Sequence, residues 1–250
     1  MFTNRMFLTF SIAAAIVALL AVGTMLRTYS NTTPSSGSTH IVLVGASIGQ
    51  GWRLADWPSR TNTRTITAES IAVWQFDKSS AVNELARRPR RTFHFSRSYL
   101  RSLLQPPPKV PRVVILKECS SYFPGNFDDY KTLIQSWTNT LRANGTVVVL
   151  ATVAPVTQER SLRAPGKLEG IVEFNRWIRE YAKQQRLPLL DLETALRVGN
   201  GFTLRDDLAA EDGSHLNPAA YAVLDKLLQQ VLCEMNIGVP CSPAPAFSAR

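Results

Sequence analysis

The 250-residue, 27.7 kDa chain carries 45% hydrophobic, 9% aromatic and 19% charged residues, enough for one packed core, which excludes disorder throughout. Three cysteines exclude a disulfide scaffold, and three histidines with no C-x-x-C pair argue against a zinc cluster. The net charge of +9 would suit nucleic acid if it were spread evenly, but residues 87–112 hold +8, residues 1–38 hold +2 through Arg5 and Arg27, and the remainder is −1.

In chain order, residues 6–26 form an uncharged, mostly apolar run of 21 residues between Arg5 and Arg27. At about 1.5 Å per residue it is long enough to cross a hydrocarbon core of about 30 Å. Residues 1–28 are read as a signal peptide or N-terminal membrane anchor. The unbroken length favours the anchor, while Ala21-Val22-Gly23 offers a small-x-small cleavage site. Either outcome places the rest of the chain across a membrane. Residues 29–39 read as a polar linker, 40–232 as a folded domain and 233–250 as a Pro/Ala/Ser-rich tail. Cys233 and Cys241 could close a small loop in an oxidising compartment, leaving Cys119 as an unpaired, buried thiol.

Within the domain, five short apolar runs at 40–44, 70–74, 113–116, 146–152 and 187–190 predict strands covered on both faces, as in a parallel sheet. Helical spacing links Tyr130, Leu133, Ile134, Trp137 and Leu141, with Asp128 and Asp129 in the first turn and Gly145 beyond the end. A second stripe runs through Ile171, Phe174, Trp177, Ile178 and Tyr181. A third helix opens at Asn217-Pro218 and carries Tyr221, Leu224, Leu228 and Val231 on one face. Strands alternating with helices predict a doubly wound α/β sheet, whose working edge lies beyond the carboxyl ends of the strands.

After the first strand stands Gly45-Ala46-Ser47-Ile48-Gly49-Gln50-Gly51. A serine in a glycine-flanked strand-to-helix turn has its hydroxyl lifted out of the sheet, but it is a weak nucleophile without a base. Alone, the segment reads equally as a turn or a phosphate cradle. Ahead of the last helix, Asp212-Gly213-Ser214-His215-Leu216-Asn217-Pro218 places a carboxylate three residues before His215. In a tight loop that spacing fixes one ring nitrogen and leaves the other to face the serine. The two features together are far less expected by chance than either alone.

These blocks resemble the SGNH, or GDSL-like, hydrolase family. Val44-Gly45-Ala46-Ser47 is similar to its nucleophile block and Asp212 to Pro218 to its Asp/His block. Phe174-Asn175-Arg176-Trp177 through Leu189-Leu190-Asp191-Leu192 looks like the helix and strand that precede the latter, a likeness over about residues 40–232. The resemblance implies a flavodoxin-like three-layer α/β/α sandwich with a mainly parallel five-stranded sheet, and ester or acetyl hydrolysis without a cofactor. It implies Ser47 as nucleophile, His215 as general base and then acid, and Asp212 as its orienter. The chain departs from the family at Ala46, where an aspartate is usual. It has no glycine in Asp77-Lys78-Ser79-Ser80, where an oxyanion-binding amide is expected, and Ser121 falls at the position of an asparagine donor. Ser47, Ser79 and Ser121 are therefore the oxyanion-hole candidates, and Glu118, at a strand end, is a further candidate carboxylate. The G-x-S-x-G match also suits an α/β-hydrolase elbow, but that fold places its serine mid-chain, whereas Ser47 opens the domain.

Residues 87–112 include Phe93, Phe95, Tyr99, Leu100, Leu103 and Leu104 and predict an amphipathic helix between strands two and three. Its default reading is a solvated face. Arg87, Arg88, Arg90 and Arg91 could instead contact anionic lipid or an acidic polymer. The expected partners are an ester-bearing small molecule, saccharide or lipid, and a membrane through residues 6–26, with no nucleic acid and no metal. The sequence thus reads as an exported or membrane-anchored serine esterase acting on an O-acyl group of a cell-envelope saccharide or lipid. Its alternatives are a catalytically degenerate domain that binds an envelope polymer or protein, and acyl transfer to a sugar.

Overall fold

The computed structural model describes residues 39–63, 65–88, 113–237, 239 and 241. The segment 6–26, nearly all of the linker, Arg90, Arg91 and the helix expected within 87–112 lie outside the described residues. Among the described residues no helix is long and apolar enough to cross a membrane.

β1 (Thr39–Gly45) leads into the short helices α1 (Ser47–Gly51) and α2 (Trp57–Arg60), then β2 (Ile66–Ala72), α3 (Gln75–Arg87), β3 (Val113–Lys117) and α4 (Phe127–Ala143). β4 (Val147–Ala151) is followed by α5 (Gln158–Arg163), α6 (Lys167–Gln185), β5 (Leu189–Leu190), α7 (Leu192–Leu196) and α8 (Pro218–Glu234). All five strands pair in parallel, in the order β2-β1-β3-β4-β5. The chain leaves β1 toward one edge and resumes from β3 toward the other, so the C-terminal ends of β1 and β3 flank the crevice where such sheets bind ligands.

Pleating sends alternate side chains into two cores. Ile41, Leu43, Val113, Ile115 and Val149 face one layer, where Ile48, Trp52, Leu196, Leu224 and Leu228 cover them. Val42, Val44, Val114, Leu116 and Val148 face the other, under Val82, Ile134, Trp137 and Phe174. Each such aliphatic or aromatic side chain contributes about 1.5–3 kcal/mol on full burial, so a one-residue slip of a central strand, which would exchange its two faces, is strongly disfavoured. The Asn217 side chain accepts a hydrogen bond from the Ala220 amide at 3.1 Å and starts α8 as the Asn-Pro pair predicts. Asp225, on α8, accepts from Trp52 Nε1 and Arg60 Nε, each at 2.7 Å, and so ties the segment after α1 to the last helix. Cys233 and Cys241 are joined, and Cys119 is a buried free thiol.

β2 and α3 differ from the sequence reading, which also does not anticipate the short helices α2, α5 and α7 and expects a longer β5. β2 is Ile66–Ala72, displaced toward the N-terminus from the expected 70–74, and Trp74 is 61% exposed at the start of α3. The reason is position: β2 is an edge strand, half-covered along much of its length, so it tolerates Thr67, Glu69 and Ser70 and lacks the apolar run that marks a central strand. α3 itself covers 77–80, to which the sequence assigns no element and where an oxyanion-binding amide is expected. Its buried stripe is Lys78, Val82 and Leu85, and a lysine on that stripe hides the helical period.

Candidate active site

Ser47 is the first residue of α1, directly beyond the end of β1, and is half-buried. As the first helical residue its amide has no acceptor within the helix. The next residue, Ile48, anchors the turn in the same core as Leu216, the neighbour of His215. A Cβ on Gly51 would lie 2.2 Å from the Tyr221 hydroxyl of α8, so only glycine lets α1 lie this close to the helix that follows the His215 loop. The Ser47 turn and the His215 loop thus share one face and one edge of the sheet. Among the described residues the Ser47 hydroxyl makes no hydrogen bond to His215.

The loop before α8 is closed by its own backbone. Ala209 bridges to Leu216, the Ala210 amide donates to the His215 carbonyl at 2.9 Å, and the Asn217 amide donates to the Leu208 carbonyl at 3.0 Å. Inside it, Asp212 Oδ1 accepts the Ser214 amide at 3.0 Å and the His215 amide at 2.9 Å, while Oδ2 stands 2.5 Å from His215 Nδ1. Partial burial pushes the Asp212 carboxyl up, but the two backbone amides and the imidazole outweigh it and bring it down to about 2. Asp212 is therefore a carboxylate at neutral pH. It holds Nδ1 as the protonated nitrogen, which leaves Nε2 as the lone-pair base. Gly213 has φ of +67°, and a Cβ there would meet Thr157 Oγ1 at 2.4 Å and Arg160 Cβ at 3.0 Å. The Thr157 amide donates to the Gly213 carbonyl at 2.9 Å, so the loop is clamped onto the start of α5.

The remaining candidates are placed differently from the sequence reading. Ser79 lies in the second turn of α3, where amides bond back within the helix, and its hydroxyl accepts from Trp137 Nε1 at 2.9 Å. The Ser79 amide is therefore taken up within the helix, while its hydroxyl, an acceptor here, keeps its own proton to donate. Ser121 sits in the 3₁₀ turn Ser120–Tyr122 and donates its hydroxyl to Cys119 Sγ at 3.0 Å. Glu118 is buried rather than solvated, and Lys78 Nζ stands 2.8 Å from its Oε1 while donating to the Lys117 carbonyl, also at 2.8 Å. Both of its oxygens are enclosed, and its charge is set against the Lys78 ammonium at the end of β3. Sequence spacing does not reveal this pair, because its members lie on different elements.

Lys117, also 1% exposed, packs its aliphatic stem beside Gly45, with its Cβ 3.6 Å from the position a Cβ on that glycine would take. Its Nζ donates to the Glu118 carbonyl at 2.7 Å, and burial above all pushes the ammonium down to about 8. Of the basic patch, Arg88 is committed to Glu69 and Glu84, and Arg87 is exposed at the end of α3.

A profile of the GDSL-like lipase/acylhydrolase family matches residues 43–223. Among solved structures, a GDSL-like lipase from Bacteroides thetaiotaomicron superposes with a TM-score of 0.59 at 18% identity, covering 84% of this chain and 96% of its own. A lipase/acylhydrolase from Enterococcus faecalis gives 0.58 at 17% identity, over 82% of this chain and 100% of its own. An acetyl xylan esterase gives 0.54 at 18%, over 77% and 99%. At such identities the likeness establishes the fold alone. No curated protein matches the chain by sequence.

Proposed function

The chain belongs to the GDSL-like lipase/acylhydrolase family, and from that premise we propose that it is a serine esterase that cleaves an O-acyl ester through an acyl-Ser47 intermediate. The observation that supports this reading is the Asp212–His215 pair, whose loop packs Leu216 into the same core as Ile48 of the Ser47 turn. His215 Nε2 takes the Ser47 proton as Oγ attacks the carbonyl, and Asp212 stabilises the imidazolium. The Ser47 amide donates to the oxyanion of the tetrahedral intermediate, which collapses as His215 returns the proton to the departing alcohol oxygen. Water, deprotonated by the same imidazole, then attacks the acyl-serine and releases the acid and free Ser47.

We further read the protein as exported or membrane-anchored through residues 6–26, with an O-acetyl saccharide or a lipid ester as substrate. The Cys233–Cys241 disulfide supports an oxidising compartment. That an acetyl xylan esterase shares the frame is compatible with a saccharide ester. The second reading is a binding module that has lost catalysis. It is favoured by the placement of the Ser79 amide inside α3 and by the engagement of the Ser121 hydroxyl with Cys119.

The test is hydrolysis of 4-nitrophenyl acetate by the purified protein. Ser47→Ala should abolish turnover above buffer, and turnover equal to wild type in that variant would refute the mechanism.

A further inference from the structure

The segment 157–167, which carries the His215 loop on its first residue, holds a surplus of cations. Its one acid, Glu159, is paired with Arg163. Arg160 and Lys167 have no carboxylate partner among the described residues. The Arg160 Nε is fully enclosed and receives no hydrogen-bond acceptor, and Lys167 is only 8% exposed. Enclosing a cation without a partner is unfavourable, and setting two like charges together adds to it. Here both costs are present: burial first, and then the Arg160 charge, push the Lys167 ammonium down.

Arg160 lies against the His215 loop, and Lys167 is near enough to Arg160 for the two charges to interact. A Cβ on Gly213, between Asp212 and His215, would lie 3.0 Å from Arg160 Cβ. Lys167 opens α6, whose first turn rests on Phe123 and Pro124 of the loop after β3, and its charge is close enough to couple to Cys119. Asp212 is already engaged with His215, and the one acid of the segment, Glu159, with Arg163. Nothing among the described residues balances Arg160 and Lys167, so an external anion is the group that would.

We propose that Arg160 and Lys167 form an anion subsite beside the His215 loop, and that the ester substrate carries a carboxylate or phosphate group that docks there. This rests on the esterase reading for its placement and deepens it by naming the substrate's charge. The two cations act on binding and orientation and take no part in proton transfer.

The test uses three acetyl esters of one shape: 4-acetoxybenzoate, 4-acetoxyphenyl phosphate and the neutral methyl 4-acetoxybenzoate. The readout is the ratio of kcat/KM for each anionic ester to that for the neutral one. A charge-assisted contact in a partly dry site predicts a ratio of about 10 or more in the wild type. The ratio should fall to about 1 in the Arg160→Gln/Lys167→Gln variant and largely survive in Arg160→Lys/Lys167→Arg, which keeps the charge. Comparison of the carboxylate and phosphate arms says which anion the subsite prefers. A wild-type ratio near or below 1 for both anions, or a ratio that the glutamine variant leaves unchanged, overturns the proposal. If none of the three esters is hydrolysed, the esterase reading fails separately. Calorimetric titration with benzoate and phenyl phosphate then decides the subsite: binding lost in the glutamine variant supports it, and no binding to the wild type refutes it.

Discussion

Replacing Lys78 with Met strands the Glu118 carboxylate in a site where its side chain is only 3% exposed. Lys78→Met keeps the volume and the aliphatic stem, so the effect isolates the lost charge and the lost hydrogen bond to the Lys117 carbonyl. Removing one member of a buried ion pair costs about 3–5 kcal/mol, because the partner is left charged in a poor dielectric. For a domain of this size each kcal/mol moves Tm by about 2–4 °C, which predicts a fall of about 6–20 °C. The double variant Lys78→Met/Glu118→Leu removes the stranded charge and should recover most of that loss, leaving the cost of the unpaired Lys117 carbonyl at about 1–3 kcal/mol. Urea unfolding of wild type, both single variants and the double variant gives the coupling directly. Glu118→Gln adds the functional arm: its turnover per folded molecule should match wild type, since the carboxylate is enclosed against Lys78. A Lys78→Met cost below about 1 kcal/mol, or loss of turnover in Glu118→Gln at full stability, would refute the assignment of this pair to scaffolding.

Asp212→Asn removes the group that fixes the His215 tautomer and should lower kcat by about 10³–10⁴-fold with little change in KM, measured on a short-chain acyl ester. Because the folded-state Asp212 carboxyl lies below its ordinary 3.8, at about 2, its stabilising contacts are fully present above the ordinary value and are lost only as pH falls toward 2. A rate loss between pH 5 and 8 therefore does not come from Asp212, and a carbon-13 carboxyl titration placing its midpoint above 4 would contradict the bonding described. Gly213→Ala forces a Cβ into Thr157 Oγ1 at a positive φ and should cost about 1–3 kcal/mol while displacing the His215 loop. Unchanged Tm and turnover would show that the clamp is not tight. Asn175→Leu leaves both the amide and the carbonyl of Val153 unpaired after β4, where Asn175 now meets them at 2.7 and 2.9 Å. It should cost about 2–6 kcal/mol in thermal unfolding.

The catalytic candidates are legible because each is local in sequence: Ser47 follows a central strand, and Asp212 and His215 lie in one tight loop ahead of an Asn-Pro helix start. The central strands are legible for a similar reason, since burial on both faces demands unbroken apolar runs such as 113–116. β2 and α3 are not, because one is a half-covered edge strand and the other buries a lysine on its apolar stripe. Glu118 looks like a strand-end site carboxylate until its partner is known, and Lys78 reaches it from another helix through the fold. The commitment of Ser79 to Trp137 and the pairing of unbalanced cations at Arg160 and Lys167 are likewise products of tertiary packing, outside the reach of spacing or composition.

Covalent trapping of the nucleophile is the sharpest test of the role given to Ser47. Intact-mass analysis after exposure to a fluorophosphonate should show one phosphonyl adduct on the wild type, mapped by peptide sequencing to Ser47. The adduct should be absent from Ser47→Ala and form at least 100-fold more slowly in His215→Ala. An unlabelled wild type, or an adduct on another residue that persists in Ser47→Ala, would contradict the account.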